Sequence, residues 1–431
     1  MADSTWEERS FVYFIQQYTT AGDWDQSVSH LSFLPNLYAK CQEKASSDAA
    51  SACFRLAVDA AAQVALGHEA RAPSLISKAR RNYGKALGAL QQLLNTHSQA
   101  VKDETLAAVV VISLFEDISG DRNGLSGSHT TGFELLIKLR GRGQLDYPQG
   151  RDLFNYAYAN THIEILALGD KPRLDMEWII AALDVSDPIP RLITTSSKIS
   201  QFFVKVSSAQ AAMQAQLFVS PALVIGQLAT WLEYARGLDR DLVRWCDGLP
   251  EEWIPSVIPS PTGEQLLITY PRISVATIWN YYRAVRIVMQ QILTGLQGAL
   301  APLASLSNIS PNLSSSALSS TQVVVHDMID EICRSIPFAL GDIDPRGRFT
   351  ADPARPWASQ PSSRHKFKAV HGYSLLWPLW YVLSCGLATP DQSKQVRTAL
   401  ARLGSEVGIK LALTLAEGAP GSPPSQWGDH P

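Results

Sequence analysis

Apolar residues in this chain recur at steps of three and four, not two. Ile278, Tyr282, Val285, Met289 and Ile292 are spaced 4, 3, 4, 3, which aligns them on one face of an α-helix and scatters them over both faces of a strand. Tyr83, Leu87, Leu90 and Leu94 repeat the pattern within 78–96, as do Val325, Met328, Ile329, Ile332 and Ile336, where Pro337 is expected to end the helix. A fourth stripe is Val396, Leu400, Leu403 and Val407, preceded by Thr389 as N-cap, Pro390 at the first position and Gln392 completing a capping box. The expected fold is all-α: one large helical domain, or two packed helical lobes. Only Val109–Ile112 suits a strand as well, and there Asp103, as the expected cap with Glu104 in the first turn, favours helix.

Organisation follows from the breaks. Pro188 and Pro190 mark a turn, and Phe202–Leu238 is expected to form two helices. The segment 245–264 carries Pro250, Pro255, Pro259 and Pro261 and reads as a connection. It would divide an N-terminal lobe, 1–244, from a C-terminal lobe, 265–417, with a flexible tail at 418–431. Stretches 117–128, 299–320 and 341–366 read as loops or linkers. Gly141 stops a helix that His129 opens.

Composition removes several function classes. Lys and Arg number 37 against 40 Asp and Glu, a net charge of −3, and the N-terminus has no basic arm. Positive charge is nowhere concentrated as phosphate attraction requires, so direct nucleic-acid binding is not expected. No charged-then-apolar signal segment opens the chain, no run reaches the roughly 20 apolar residues of a membrane span, and no membrane partner is expected. The five cysteines, Cys41, Cys53, Cys246, Cys333 and Cys385, are scattered and odd in number, which suits a reducing compartment.

Several segments carry more than periodicity. In order they are EERSFVYF, KALGALQQLLN, KDETLAAVVVISLFED, SHTTGFELLIKLRGRGQ, WCDGLPEEWIP, ISVATIWNYYRAVRIV (273–288), IDEICRSIPFALG (329–341), YSLLWPLWYVLSCGLATP (373–390) and EVGIKLALTLAEG (406–418). Together this series resembles the regulatory region of fungal zinc binuclear-cluster transcription factors over nearly the whole chain. The family's zinc cluster needs six cysteines in two closely spaced sets; here no CxxC occurs. Ser126–Gly127–Ser128 also stands where the family often has a Trp. The resemblance implies an all-α regulatory domain that dimerises, senses or relays to the transcription machinery. Without the cluster, sequence-specific DNA contact by this chain is not expected.

Candidate sites are few. Asn280, Arg283 and Arg286 share a stripe beside the apolar face of their helix. Arg forks match carboxylates, so with Tyr282, Trp377 and Trp380 they are the candidate ligand-binding set; the plainer expectation is ion pairing with acids such as Asp330 or Glu331. His326, Asp330 and Glu331 are the candidate acid–base residues, although Asp330 and Arg334 at i,i+4 also suit a helix ion pair. His162 and Glu164 are a weak metal pair. Trp279, Tyr281, Tyr282, Tyr373, Trp377, Trp380 and Tyr381 supply either core packing or a pocket for a small hydrophobic metabolite. No GxSxG, Walker A, dinucleotide fingerprint or HExxH occurs, so no cofactor and no metal is expected.

Two function classes remain. One is a nuclear transcription regulator or co-regulator, for example of a secondary-metabolite gene cluster. It would act through a protein partner that binds DNA, or as a homodimer. The other is a cytoplasmic enzyme, a cofactor-free isomerase or cyclase on the same helical body. A truncated gene that has lost its zinc-cluster exon is a third, plainer expectation.

Overall fold

A computed structural model describes residues 5–19, 31–44, 47–121, 129–168, 188–215, 220–306, 315–350 and 368–418. Its helices are α1 Trp6–Tyr18, α2 Phe33–Lys44, α3 Ala49–Glu69, α4 Pro73–Leu94, α5 His97–Ala100, α6 Asp103–Ser119, α7 Thr130–Arg140, α8 Pro148–Leu168, α9 Pro188–Ala215 and α10 Pro221–Asp247. After a hairpin of β1 Ser256–Pro259 and β2 Leu266–Thr269 come α11 Ile273–Leu306, α12 Ser315–Ala339, α13 Ala369–Tyr373, α14 Leu376–Ser384, α15 Pro390–Glu406 and α16 Lys410–Glu417. That hairpin is the only sheet among the described residues, so the fold is all-α in substance. Of the loop expected at 117–128, residues 117–119 form the end of α6, which Gly120 closes; residues 122–128, with the serine–glycine stretch 126–128, lie outside the described residues, as do most of the 341–366 loop and the tail beyond Gly418.

The chain forms two compact units. One comprises Met1–Thr161, Pro361–Leu376 and Arg397–Pro420; the other comprises His162–Gln360, Trp377–Val396 and Gly421–Pro431. The proline-rich stretch 245–264 therefore does not separate them. It lies inside the second unit, where the end of α10, a 3-10 turn at Glu251–Trp253 and β1 occupy it. Local composition marks where a helix stops, not which long-range contacts close around the break.

In the first unit, α3 and α6 are central, with α1, α2 and α4 against α3 and α7 and α16 against α6. In α6 all of Val109, Val110, Val111 and Ile112 are buried. A helix buried on every side has no polar face, which is why its sequence looked ambiguous. Asp103 is not the cap: Lys102 holds that position, and the Asp103 carboxylate accepts from Arg140 Nη2 at 2.5 Å and Tyr147 Oη at 2.6 Å. On α4 the buried line is Leu75, Ala79, Ala86, Leu90 and Leu93, while Leu87 and Leu94 are exposed. The seam uses alanine where the helices approach closely: Cys53 Sγ of α3 lies 3.5 Å from the backbone carbonyl of Ala86 on α4. By length and composition α3 is apolar enough to cross a membrane, contrary to the sequence expectation. Most of it is buried, the position of a core helix.

In the second unit, α11 packs against α10 and α12, α9 against α10 and α11, and β2 against α12. Helix α9 starts at Pro188, so Pro188 and Pro190 open a helix instead of marking a turn. The first turn leaves its N–H groups unpaired in any case, and proline loses little there. The expected 299–320 linker is helical in part: helix α11 runs through Pro302 to Leu306, and α12 starts at Ser315 and continues two residues past Pro337, where the helix was expected to end. Residues 307–314 lie outside the described residues. The capping box at α15 forms as its sequence predicts, with Thr389 N donating to Gln392 Oε1 at 2.9 Å and Gln392 N to Thr389 Oγ1 at 3.2 Å.

Candidate functional site

Helix α11 carries the polar stripe singled out in the sequence, and the stripe is interior. Asn280, Arg283 and Gln290 are buried, Arg283 being only 1% exposed. Burying a guanidinium is costly unless its charge and its donors are met. Arg283 Nε donates to Glu331 Oε2 at 2.8 Å, and Nη1 donates to Tyr270 Oη at 2.5 Å and Asn280 Oδ1 at 2.9 Å. The rings of Trp279 and Tyr270 lie 5.3 and 5.8 Å from the guanidinium carbon, near enough for cation–π attraction. Burial pulls the Arg283 pKa down, but Tyr270 and Glu331 more than reverse this and leave it raised. The cation is permanent and neutralised within the fold.

Arg286, one turn on, is neutralised separately. Its Nε lies 3.4 Å from Asp239 Oδ1 on α10, and its Nη1 donates to Tyr282 Oη at 3.1 Å. Gln290 Nε2 donates to the same Asp239 oxygen at 2.8 Å. Asp239 went unrecognised in the sequence, since nothing local links it to a partner on α11. Burial raises the pKa of Tyr282, with Arg286 opposing.

The motif segments converge on this network. Ser335, in the segment that ends SIPFALG, donates to Asn280 Oδ1 at 3.0 Å, and Phe338 packs on Tyr270 with ring centroids 5.4 Å apart. The WCDGLPEEW segment contributes Trp245, stacked on Tyr282 at 5.1 Å and edge-on to Trp279 at 5.6 Å. Its Trp253 carbonyl accepts from Trp279 Nε1 at 2.8 Å. Trp377, Trp380 and Tyr381 form their own ring cluster on α14, with centroids 5.2 to 6.3 Å apart. Tyr373 belongs to the first unit, where it donates to buried Asp117 Oδ2 at 2.6 Å. The aromatic set of the sequence is thus several packing groups.

The acid–base candidates do not assemble. Asp330 pairs with Arg334 at 2.6 Å and Glu331 with Arg283, while His326 is exposed on the flank of α12 beside the buried stripe. His162 is buried between two serines: Ser197 Oγ lies 2.9 Å from Nε2 and Ser200 Oγ 3.2 Å from Nδ1. Burial drops its pKa to about 3, so at neutral pH it is an uncharged imidazole with little basicity. The side chain of Glu164 is outside the described residues. No group of three or more His, Cys, Asp or Glu converges among the described residues. Burial pushes the Cys53 and Cys333 thiols up to about 12, far from the thiolate that reacts or binds metal.

Residues 47–177 match the fungal specific transcription factor domain. Over 359 residues the chain is 22% identical to transcription factor dbaG of Emericella nidulans, a match covering 80% of this chain and 77% of that protein. No solved structure matches. The resemblance carried by the motif series is therefore borne out: the chain carries a match to the fungal specific transcription factor domain and is similar over most of its length to a fungal transcription factor.

Proposed function

We propose that the protein is a transcription regulator or co-regulator that works in the nucleus through protein contacts, for a secondary-metabolite gene cluster. One observation carries this reading: the transcription-factor domain match at 47–177, lying within a wider likeness to a named transcription factor. Within these 431 residues the five cysteines cannot compose a six-cysteine zinc cluster. DNA contact would then come from a partner with its own DNA-binding head, or from assembly as a homodimer on such a partner. The Arg283 and Arg286 networks support a scaffold role, since each cation already has its carboxylate. The isomerase or cyclase reading gains no support from the candidate acids, which are engaged in ion pairs.

Deleting the gene and measuring neighbouring transcripts together with the metabolite profile tests this. Collapse of transcripts and products together is expected. Steady transcripts with one accumulating intermediate would refute the regulator reading in favour of an enzyme.

A further inference from the structure

The β-hairpin of the second unit shows an apolar face to solvent, and its surroundings say what would cover it. Antiparallel pairing sets Val257 opposite Ile268 and Pro259 opposite Leu266, and residues opposite or two apart share a face. Ile268 is buried, but Val257 is 57% and Leu266 49% exposed, and Pro259 is exposed. The other face is taken: a Cβ on Gly347 would lie 3.2 Å from Ile258 Cγ2, so the 344–349 turn covers that side.

The outer edge of β1 cannot serve as the contact. Ser260 N donates to Gln265 O at 2.7 Å, so by alternation Ser256 and Ile258 bond inward, while Pro255, Val257 and Pro259 direct their backbone outward. Proline has no N–H, which leaves Val257 as the sole donor on that edge. Strand addition to β1 is blocked, which leaves the side-chain face of Val257, Pro259 and Leu266.

The rim of that face is acidic. Glu251 and Glu252 precede it and Glu264 stands at the hairpin tip; all three are exposed and make no ion pair among the described residues. The nearby basic groups are Arg191, whose Nη2 donates to the Trp245 carbonyl at 3.1 Å and the Gly248 carbonyl at 3.4 Å, Arg346 and Arg348, on the turn that covers the opposite face, with Arg348 paired to Asp344 at 2.7 Å, and Arg272 after β2, which has an interaction of its own.

We infer that this face docks a partner-protein segment whose apolar side chains are flanked by basic ones. The apolar groups would cover Val257, Pro259 and Leu266, and Lys or Arg would meet Glu251, Glu252 and Glu264. Charge complementarity selects this occupant over an acidic or uncharged one. The inference rests on the regulator reading for its biological setting only, because the surface can be tested apart from transcription.

The test uses the full chain and three fluorescent synthetic peptides of equal length, built from Leu and Lys, Leu and Glu, or Lys and Ser, read by anisotropy. The Leu–Lys peptide should bind at least about tenfold tighter than either other, and added salt should weaken it. Leu266→Asn should weaken it by about tenfold, and the triple reversal Glu251→Lys, Glu252→Lys, Glu264→Lys should shift preference to the Leu–Glu peptide. Far-UV circular dichroism checks that each variant folds. Equal binding of the Leu–Lys peptide by Leu266→Asn, or of the Lys–Ser peptide by the wild-type chain, overturns the inference. So does self-association that Leu266→Asn abolishes while no peptide binds, because a second copy would then cover the face. If peptide binding fails while deletion still collapses transcripts, this surface is refuted and the regulator reading stands.

Discussion

Acid should destabilise the second unit through His162. The imidazole is 4% exposed, and burial lowers its pKa from 6.5 to about 3. A histidine whose folded pKa is depressed binds more protons when unfolded. Its neutral form therefore contributes stability that is present above pH 6.5 and is lost as the pH falls from there toward 3. Each unit of pH in that window costs up to about 1.4 kcal/mol, so moving from neutral pH to near pH 5 should cost about 2 kcal/mol. His68 shifts in the same direction, by burial first and then by Lys410 and Arg80, so the assay must isolate His162. His162→Gln keeps a hydrogen-bonding side chain between Ser197 and Ser200 but does not titrate. Urea unfolding of both proteins at neutral pH and near pH 5 should show the wild-type chain losing about 2 kcal/mol more than the variant. Parallel losses would refute the reasoning, as would an NMR titration placing the folded His162 midpoint near 6.5.

Other perturbations have equally definite signs. Glu331→Ala leaves Arg283 buried without its carboxylate and should cost about 3 kcal/mol by chemical denaturation, at the low end for such pairs because Glu331 is partly exposed; if stability is unchanged, the network is not holding α11 to α12. Gly84→Ala and Gly88→Ala should each stabilise α4 by about 0.5–1 kcal/mol, because a Cβ at either position meets nothing within 4 Å. Gly404→Ala should instead lower the thermal midpoint, since its Cβ would lie 2.4 Å from the Leu413 side chain.

The sequence already revealed the helices wherever one face met solvent. The stripes at Val325–Ile336 and Val396–Val407 are buried as their periodicity requires, and the Thr389–Gln392 box is purely local chemistry. Periodicity weakened where every face is covered. In α6 the β-branched run lost its contrast, and on α4 small alanines displaced Leu87 and Leu94 from the seam where two helices come close. Residue type also foretold that Arg283 would need an acid, and Glu331 was among those expected.

What only the tertiary structure decided were the partners and the surroundings. Asp239 reaches Arg286 across 47 residues of chain, Ser197 and Ser200 enclose a histidine that was a candidate metal ligand, and residues 245–264, which hold a helix end, a 3-10 turn and β1, lie inside one unit instead of dividing two. Each of these depends on which helices lie side by side. Caps and periodicity act within a few residues, whereas burial, charge pairing and pKa depend on neighbours that are distant in the chain.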